Sequence, residues 1–212
     1  DTLMTHKSVT QMAATLPTTA APALRHRRKQ ARPQELLQAA LELFVEKGYS
    51  ATRSEEVAAR AGVSKGTLYL YFPSKQELFK AVVRTRLSAL IAEGQFIVES
   101  FEGPSAALLR TLMQSWWQRV GSTPAGGIFK IIVTEVRNFP ELAQFYSDEV
   151  VIPAQRLIAA TLQRGIDHGE FRDVAVQAAT HTLIAPLLFL ALHRHSIGAC
   201  AVNAPTLDAE AL

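Results

Sequence analysis

Apolar residues recur three or four positions apart along most of the 212-residue chain, with polar residues between them. This spacing places the apolar side chains on one face of an α-helix. No strand signal follows the N-terminal helices. Segments with the helical pattern cover approximately residues 33–47, 74–90, 104–120, 128–137, 141–149, 153–169 and 174–196. The pattern therefore predicts an all-α fold.

Two shorter helices are predicted between the first two of these segments. Thr52 and Glu55 have the spacing of a capping box, in which a hydroxyl caps the helix and a carboxylate returns to the backbone N–H of the capping residue. The first short helix is therefore predicted to begin at about Arg53. Gly62 ends it, because glycine adopts at little cost the left-handed conformation that follows many helices.

The second short helix is predicted from Lys65 to about Tyr71. Ser64 is a good N-cap, and Pro73 disfavours helical geometry in the residue before it. Ser74 stands three residues before a glutamate and repeats the capping-box spacing. A third helix is therefore expected to follow at once.

Two short helices joined by a glycine turn form a helix-turn-helix, whose second helix lies in the major groove of DNA and presents its N-terminal residues to base edges. Side chains that can contact bases, and a glycine that lets the backbone come close, occupy those positions. The predicted base contacts are Lys65, Gly66, Thr67 and Tyr69, and the predicted phosphate contacts are Tyr71 and Lys75.

A plain helical corner is the alternative interpretation. In that case Tyr69, Tyr71 and Phe72 are core aromatics, and Lys65 and Lys75 are merely solvated. Two helices this short bury little by themselves, however, and tyrosines interleaved with lysines suit a nucleic-acid face better than a water face. DNA binding is therefore the favoured interpretation.

The segment AGVSKGTLYLYFPSKQELF, preceded by GYSATRSEEVA, resembles the N-terminal DNA-binding domain of TetR-family transcriptional regulators. The resemblance runs without gaps from about Arg32 to Ala92, and Ser54 stands where relatives usually carry an apolar residue. It implies a phosphate contact at Thr52. The full set of candidate DNA-binding residues is Thr52, Ser64, Lys65, Gly66, Thr67, Tyr69, Tyr71 and Lys75.

The distribution of charge agrees with the binding of a polyanion at one end of the molecule. Residues 1–90 carry 14 Lys and Arg against 7 Asp and Glu, and the remaining residues carry 8 against 12. A basic N-terminal part and an acidic remainder favour DNA binding by the N-terminal part alone.

Four regions are predicted along the chain. They are a disordered tail with a basic arm (1–31), a helix-turn-helix domain (32–78), a helical effector-binding and dimerisation domain (79–200) and a C-terminal tail (201–212). The basic arm, from Arg25 to Arg32, either lies in solvent or follows the DNA backbone or minor groove. Both interpretations stay open.

Cys200 is the only cysteine, so no intrachain disulfide can form. The sequence thus excludes a secreted disulfide scaffold, and a cytoplasmic location is expected. No Lys or Arg stands next to Cys200 to lower its pKa, which favours an inert thiol over a redox sensor.

The second half resembles the ligand-binding and dimerisation domain of the same family, and GGIFKIIVTEVRNFPELAQFY resembles its AefR-like subgroup. The resemblance implies a homodimer in which the last two long helices, about 153–169 and 174–196, pair with their copies. The apolar run near residues 183–192 is expected to be buried between helices or subunits, because a bilayer span needs about 20 residues. No membrane partner is expected.

Large apolar residues in the second half are candidates to line a cavity for a small hydrophobic effector, although core packing explains any one of them equally well. The candidates are Met113, Trp116, Trp117, Phe129, Ile132 and Phe189. Trp116 and Trp117 point about 100° apart on a helix, so they cannot share one face.

No chemistry beyond binding is indicated. His181, His193, His195 and Cys200 lack the spacing of a zinc motif, and no nucleophile motif, phosphate loop or carboxylate pair is present. We therefore expect no metal, cofactor or enzymatic activity. The sequence predicts a dimeric repressor that a small hydrophobic effector releases from a palindromic operator. The alternatives are an activator of the same fold, an architectural or nucleoid-associated DNA-binding protein, and an enzyme or carrier built on a helical bundle.

Overall fold

The computed structural model describes residues 21–200, with side chains from residue 32 onward. Within that part of the chain every regular element is helical, which confirms the predicted all-α class. The α-helices are α1 (Ala21–Lys47), α2 (Ser54–Arg60), α3 (Lys65–Tyr71), α4 (Lys75–Val83), α5 (Ala89–Ser100), α6 (Ser105–Trp116), α7 (Gly127–Glu135), α8 (Pro140–Tyr146), α9 (Ile152–Asp167), α10 (Val176–Arg194) and α11 (Ile197–Cys200). A 3₁₀ turn spans Pro124–Gly126.

Helix α1 begins at Ala21 rather than near Pro33. The residues before Pro33 include Ala, Leu, Arg, Lys and Gln, which are good helix formers. Residues 21–31, predicted as part of a disordered tail, thus form the start of this helix. Residues 1–20 of that tail, and the C-terminal tail 201–212, lie outside the described residues. The side chains of the basic arm before Arg32 also lie outside them.

Three π-helical turns join successive helices without a break. Arg84–Ser88 connects α4 to α5, Trp117–Gly121 extends α6, and Ser147–Val151 connects α8 to α9. The separate helices predicted at 141–149 and 153–169 are therefore one continuous helical run, which corrects the sequence prediction. Pro153 has no N–H to bond the carbonyl four residues earlier, and a π turn just before it accommodates that loss.

One apolar core extends from the first helices into the second half. Its centre holds Phe44 of α1, Tyr49 and Phe79 of α4, whose ring centroids lie 5.3–5.5 Å apart, and Phe139 adds a ring 4.9 Å from Tyr49. Gly127 of α7 packs so closely on α1 that an added Cβ would lie 2.7 Å from a methyl group of Val45. The helix-turn-helix therefore rests on the second half through shared packing.

Helix α10 is long and apolar. An 18-residue window within the described segment Val176–Cys200 has a mean hydropathy of 1.4, and the segment is by length and composition able to cross a membrane. The expectation that this run is too short for a span is therefore wrong as an argument from length. Core helices pass the same test, and α10 packs against α7 and α9. Much of its surface is nevertheless exposed in the single chain.

Candidate functional site

Helix α3 is held by a cap at its start and by one buried side chain. The Ser64 hydroxyl accepts a hydrogen bond from the backbone N–H of Thr67 (3.1 Å), which confirms the predicted N-cap. Leu68 is fully buried in the core below. Lys65, Gly66 and Tyr69 are exposed on the other side, and Thr67 is partly exposed. The four predicted base-contacting residues thus share the outward side of one short helix.

Leu70 belongs to the same outward face and is missing from the sequence prediction. It is 86% exposed, because residues two apart on a helix point about 200° away from each other and Leu68 points inward. Residues four apart share a face, so Leu70 lies beside Gly66. A leucine followed by Tyr and Phe resembles a core segment, which is why sequence reasoning passed over it; the helical period was the available signal.

Lys65 makes an ion pair with Glu55 of α2, and its ammonium nitrogen lies 5.8 Å from the centre of the Tyr69 ring. The hydrogen bond to Glu55 raises the pKa of Lys65, and the same bond lowers the pKa of Glu55. Both side chains are about half exposed. The lysine therefore stays charged, and it can exchange Glu55 for a base or a phosphate with little loss.

Thr52 does not cap α2. The helix begins at Ser54, and the backbone N–H of Arg53 donates to the carboxylate of Glu56 (3.2 Å), so the capping pair lies one residue later than predicted. The Thr52 hydroxyl is buried and donates to the carbonyl of Gly48 (2.7 Å). It thus points into the protein, away from the surface on which a phosphate would lie.

Lys75, which is predicted to contact a phosphate, also points inward. Its ammonium group donates to the carbonyls of Tyr49 (2.9 Å), Ser50 (3.2 Å) and Thr52 (3.1 Å). Burial lowers the pKa of Lys75, and the charge of Glu135 partly offsets that effect. Lys75 therefore shapes the loop between α1 and α2. Tyr71, by contrast, lies at the surface as expected.

The same loop is fastened to the second half by Glu135. The Ser50 hydroxyl and backbone N–H donate to the two carboxylate oxygens of Glu135 (2.6 and 3.1 Å). Burial raises the pKa of Glu135, but the two bonds from Ser50, a bond from the Asn138 side chain and the charge of Lys75 outweigh it, so the pKa lies below its usual value. This contact ties the helix-turn-helix to the end of α7.

A cavity of about 180 Å³ lies in the second half, among α5, α6, α9 and α10. Its wall includes Met113, Trp116 and Phe129 from the predicted set. The other three predicted residues lie elsewhere. Ile132 is in the core, Phe189 is 59% exposed, and Trp117 packs against Gly121.

The wall of the cavity is almost entirely aliphatic and aromatic. Three of its side chains are polar, Ser115, Tyr146 and Gln155, and none is charged. Of the three only Tyr146 is buried. The cavity can therefore hold an uncharged apolar group with few hydrogen bonds to it.

Two π turns meet where the cavity approaches the helix-turn-helix. Leu87 of the first turn and Val150 and Val151 of the second line the cavity. On the outer side, Arg84 forms a forked ion pair with Glu149 (2.7–3.1 Å), which lowers the pKa of the glutamate. Both turns thus face the cavity and each other, and one of them continues directly from α4.

The histidines and the cysteine of the second half stay apart. His195 contacts the Thr123 carbonyl (3.0 Å), His181 contacts Gln155 (3.3 Å), and Cys200 is exposed. Among residues 32–200, whose side chains the structure describes, no group of three His, Cys, Asp or Glu side chains is placed to hold a metal ion.

Comparison with known proteins identifies both halves. Residues 36–82 match the family of bacterial regulatory proteins, tetR family, and residues 102–200 match the tetracyclin repressor-like C-terminal domain. The assignment to the AefR-like subgroup stays a prediction.

Relatives that match about two thirds or more of this chain are named as transcriptional regulators. The HTH-type transcriptional regulator YfiR of Bacillus subtilis is 31% identical over 72% of this chain and 74% of its own. The HTH-type transcriptional repressor KstR2 of Mycolicibacterium smegmatis is 31% identical over 66% of this chain and 68% of its own. The solved structure of the regulator FadR from Bacillus subtilis, in complex with stearoyl-CoA, matches with a TM-score of 0.64 at 19% identity, over 79% of this chain and 89% of that one.

Proposed function

The chain belongs to the TetR family of bacterial transcriptional regulators, and from that premise we propose that it is a repressor released from a palindromic operator by a small apolar effector. The observation that carries the proposal is the outward face of α3, which presents Lys65, Gly66, Thr67, Tyr69 and Leu70 together. A helix supported from behind by one buried leucine can enter a major groove as a unit.

Each residue of that face has a distinct task. Lys65 and Thr67 supply hydrogen bonds to base edges. Gly66 has no side chain, and a Cβ added there would meet only the Ser64 hydroxyl, at 3.8 Å, so the backbone can come close to DNA. Tyr69 offers a ring and a hydroxyl. Leu70 offers an apolar surface of the kind that packs on a thymine methyl group. Phosphate contacts fall to Tyr71 and to the surface around it, since Thr52 and Lys75 point inward.

Dimerisation through α9 and α10 accounts for the exposed apolar surface of α10. Ala178, Thr182, Ala185 and Phe189 stand three or four residues apart and are all exposed in the single chain. Small residues with one large apolar side chain suit a self-complementary two-fold interface. Two recognition helices related by such an axis would read half-sites about 34–36 Å apart, or a multiple of it.

Release by an effector follows from the continuity of one helix. Helix α4 starts beside the recognition helix and runs through the π turn at Arg84–Ser88 into α5, which carries Leu90 and Ile91 into the cavity wall. A ligand that changes the packing there acts on the continuous helical segment that includes α4, which starts beside the recognition helix α3. We expect a coupling of about 1–3 kcal/mol, as in other allosteric proteins.

Selection of bound sequences from a pool of random duplex DNA tests this function. A sequence-specific dimer enriches a palindrome, whereas an architectural protein enriches no motif. Thr67→Ala should abolish the enrichment while the dimer persists in sedimentation analysis. Loss of the dimer in this surface variant would contradict the placement of α3.

A further inference from the structure

The wall of the cavity contains one buried tyrosine, and its hydroxyl has no partner in the described part of the protein. Tyr146 lines the cavity and is 7% exposed, and its hydroxyl makes no hydrogen bond with any side chain or backbone group between residues 32 and 200. Such a group in an otherwise apolar wall points to an acceptor that arrives with the ligand.

The hydroxyl can act only as a neutral donor or acceptor. Burial raises the pKa of Tyr146 far above its ordinary value, so the phenol keeps its proton at physiological pH. The other polar side chains of the wall, Ser115 and Gln155, are partly exposed, and the amide of Gln155 already contacts His181. The buried end of the cavity thus offers a ligand one O–H donor and no charge.

Resting on the proposed function, we propose that the effector is an uncharged apolar molecule, or the apolar part of a larger one, with a carbonyl oxygen that accepts a hydrogen bond from Tyr146. Ketones, esters and thioesters with an aliphatic chain belong to this class. A purely hydrocarbon ligand would leave the hydroxyl unpaired. A free carboxylate would enter the cavity without a countercharge, which is costly.

The position of Tyr146 connects this contact to the DNA-binding half. Tyr146 is the last residue of α8 and directly precedes the π turn that carries Glu149, the partner of Arg84. Val150 of the same turn lines the cavity. A carbonyl group bound to Tyr146 therefore lies next to the π turn Ser147–Val151, which contacts the π turn between α4 and α5 through Glu149 and Arg84.

The size of the cavity selects the probes. A cavity of about 150 Å³ in another protein holds benzene, so a cavity of about 180 Å³ accommodates a short aliphatic chain. We choose 2-octanone and 2-methyl-1-octene, which differ only in that the carbonyl oxygen of the first is a CH₂ group in the second. Calorimetric titration of the full chain with both probes isolates the contribution of the carbonyl oxygen to the affinity.

Three proteins are compared: the wild type, Tyr146→Phe and, as a control that removes an exposed hydroxyl of α6 outside the cavity, Thr111→Ala. We expect Tyr146→Phe to lower the affinity for 2-octanone about 2- to 10-fold and to leave the affinity for 2-methyl-1-octene unchanged, since the substitution removes one hydrogen bond and keeps the ring. Thr111→Ala should change neither affinity. Thermal unfolding of ligand-free Tyr146→Phe should occur no lower than in the wild type, because an unpaired hydroxyl has been removed.

Two results would overturn the inference. One is an equal loss of affinity for both probes in Tyr146→Phe, and the other is an unchanged affinity of this variant for the ketone. Failure of the wild type to bind either probe would refute both the inference and the role of the cavity. The selection of DNA sequences is independent of these titrations, so a specific DNA-binding protein with an unaltered ketone affinity in Tyr146→Phe contradicts the inference alone.

Discussion

Lys75 and Tyr49 are joined twice: the ammonium group donates to the Tyr49 carbonyl at 2.9 Å and lies 4.6 Å from the centre of the Tyr49 ring. With the carbonyls of Ser50 and Thr52, this contact holds the loop between α1 and α2 against the start of α4. The loop in turn contacts Glu135. A lysine at the edge of the DNA-binding face is therefore a structural element of that face.

Lys75→Met should destabilise the protein. Methionine keeps most of the length and apolar surface but leaves three carbonyls without their donor, so we expect a loss of about 1–3 kcal/mol in urea-induced unfolding. Lys47→Met is the control. Its ammonium group pairs with the exposed carboxylate of Glu56, and removal should cost less than about 1 kcal/mol.

A phosphate contact would behave differently from this structural role. If Lys75 bound DNA, Lys75→Met would be as stable as the wild type and would lower the slope of log Kd against log salt concentration by about one. The structure predicts an unchanged slope.

The Glu135 contact gives a dependence on pH. The folded-state pKa of Glu135 lies below its usual value of 4.5, so the carboxylate stabilises the fold above about pH 4.5 and loses that contribution as the pH falls through the folded-state pKa. We expect Glu135→Gln to be less stable than the wild type at pH 7 and to match it in acid. Urea unfolding of both proteins at several pH values measures this. A difference that grows on acidification would contradict the assignment.

Leu70→Ala should weaken specific DNA binding without affecting stability. If Leu70 packs on a thymine methyl group, replacing that thymine by uracil in the selected operator should weaken DNA binding by the wild type by about 0.8 kcal/mol, near fourfold. The same replacement should leave the operator affinity of Leu70→Ala unchanged. Phe96→Ala removes another exposed apolar side chain, on α5, and serves as the control. Equal uracil effects in both proteins would place Leu70 away from the bases.

Arg84→Met should reduce the effect of the effector on DNA binding more than it reduces stability. The ion pair with Glu149 is half exposed, so its removal should change the free energy of unfolding by less than about 1 kcal/mol. Arg119→Met breaks a comparable exposed pair with Glu93, outside the two facing turns. We expect the ratio of operator affinities without and with effector to fall in Arg84→Met only. An unchanged ratio would locate the coupling elsewhere.

Features set by near neighbours in sequence were predictable. Ser64 and Ser74 cap their helices as expected, because each bonds a backbone N–H three residues away. The capping pair of α2 was placed one residue too early, since Thr52 and Glu55 fit the pattern as well as Arg53 and Glu56 do. The Thr52 hydroxyl instead bonds the end of α1, a contact that depends on how two helices pack.

Contacts between distant segments were not predictable from the pattern alone. The three carbonyls that bind Lys75 lie 23 to 26 residues earlier in the chain, so a lysine near a recognition helix looked like a phosphate contact. The helical period shows that Trp116 and Trp117 diverge but not which of them meets the cavity. No sequence signal marks Tyr146, and only the packing of α8 shows that its hydroxyl has no protein partner.

The central claim is that the outward face of α3 reads a DNA sequence. Fluorescence anisotropy with the selected operator and with a shuffled duplex of the same composition, at one fixed salt concentration, tests it most directly. We predict an affinity for the operator about 10³-fold or more above that for the shuffled duplex, reduced to near equality by Thr67→Ala. Equal affinities of the wild type for both duplexes would contradict the claim.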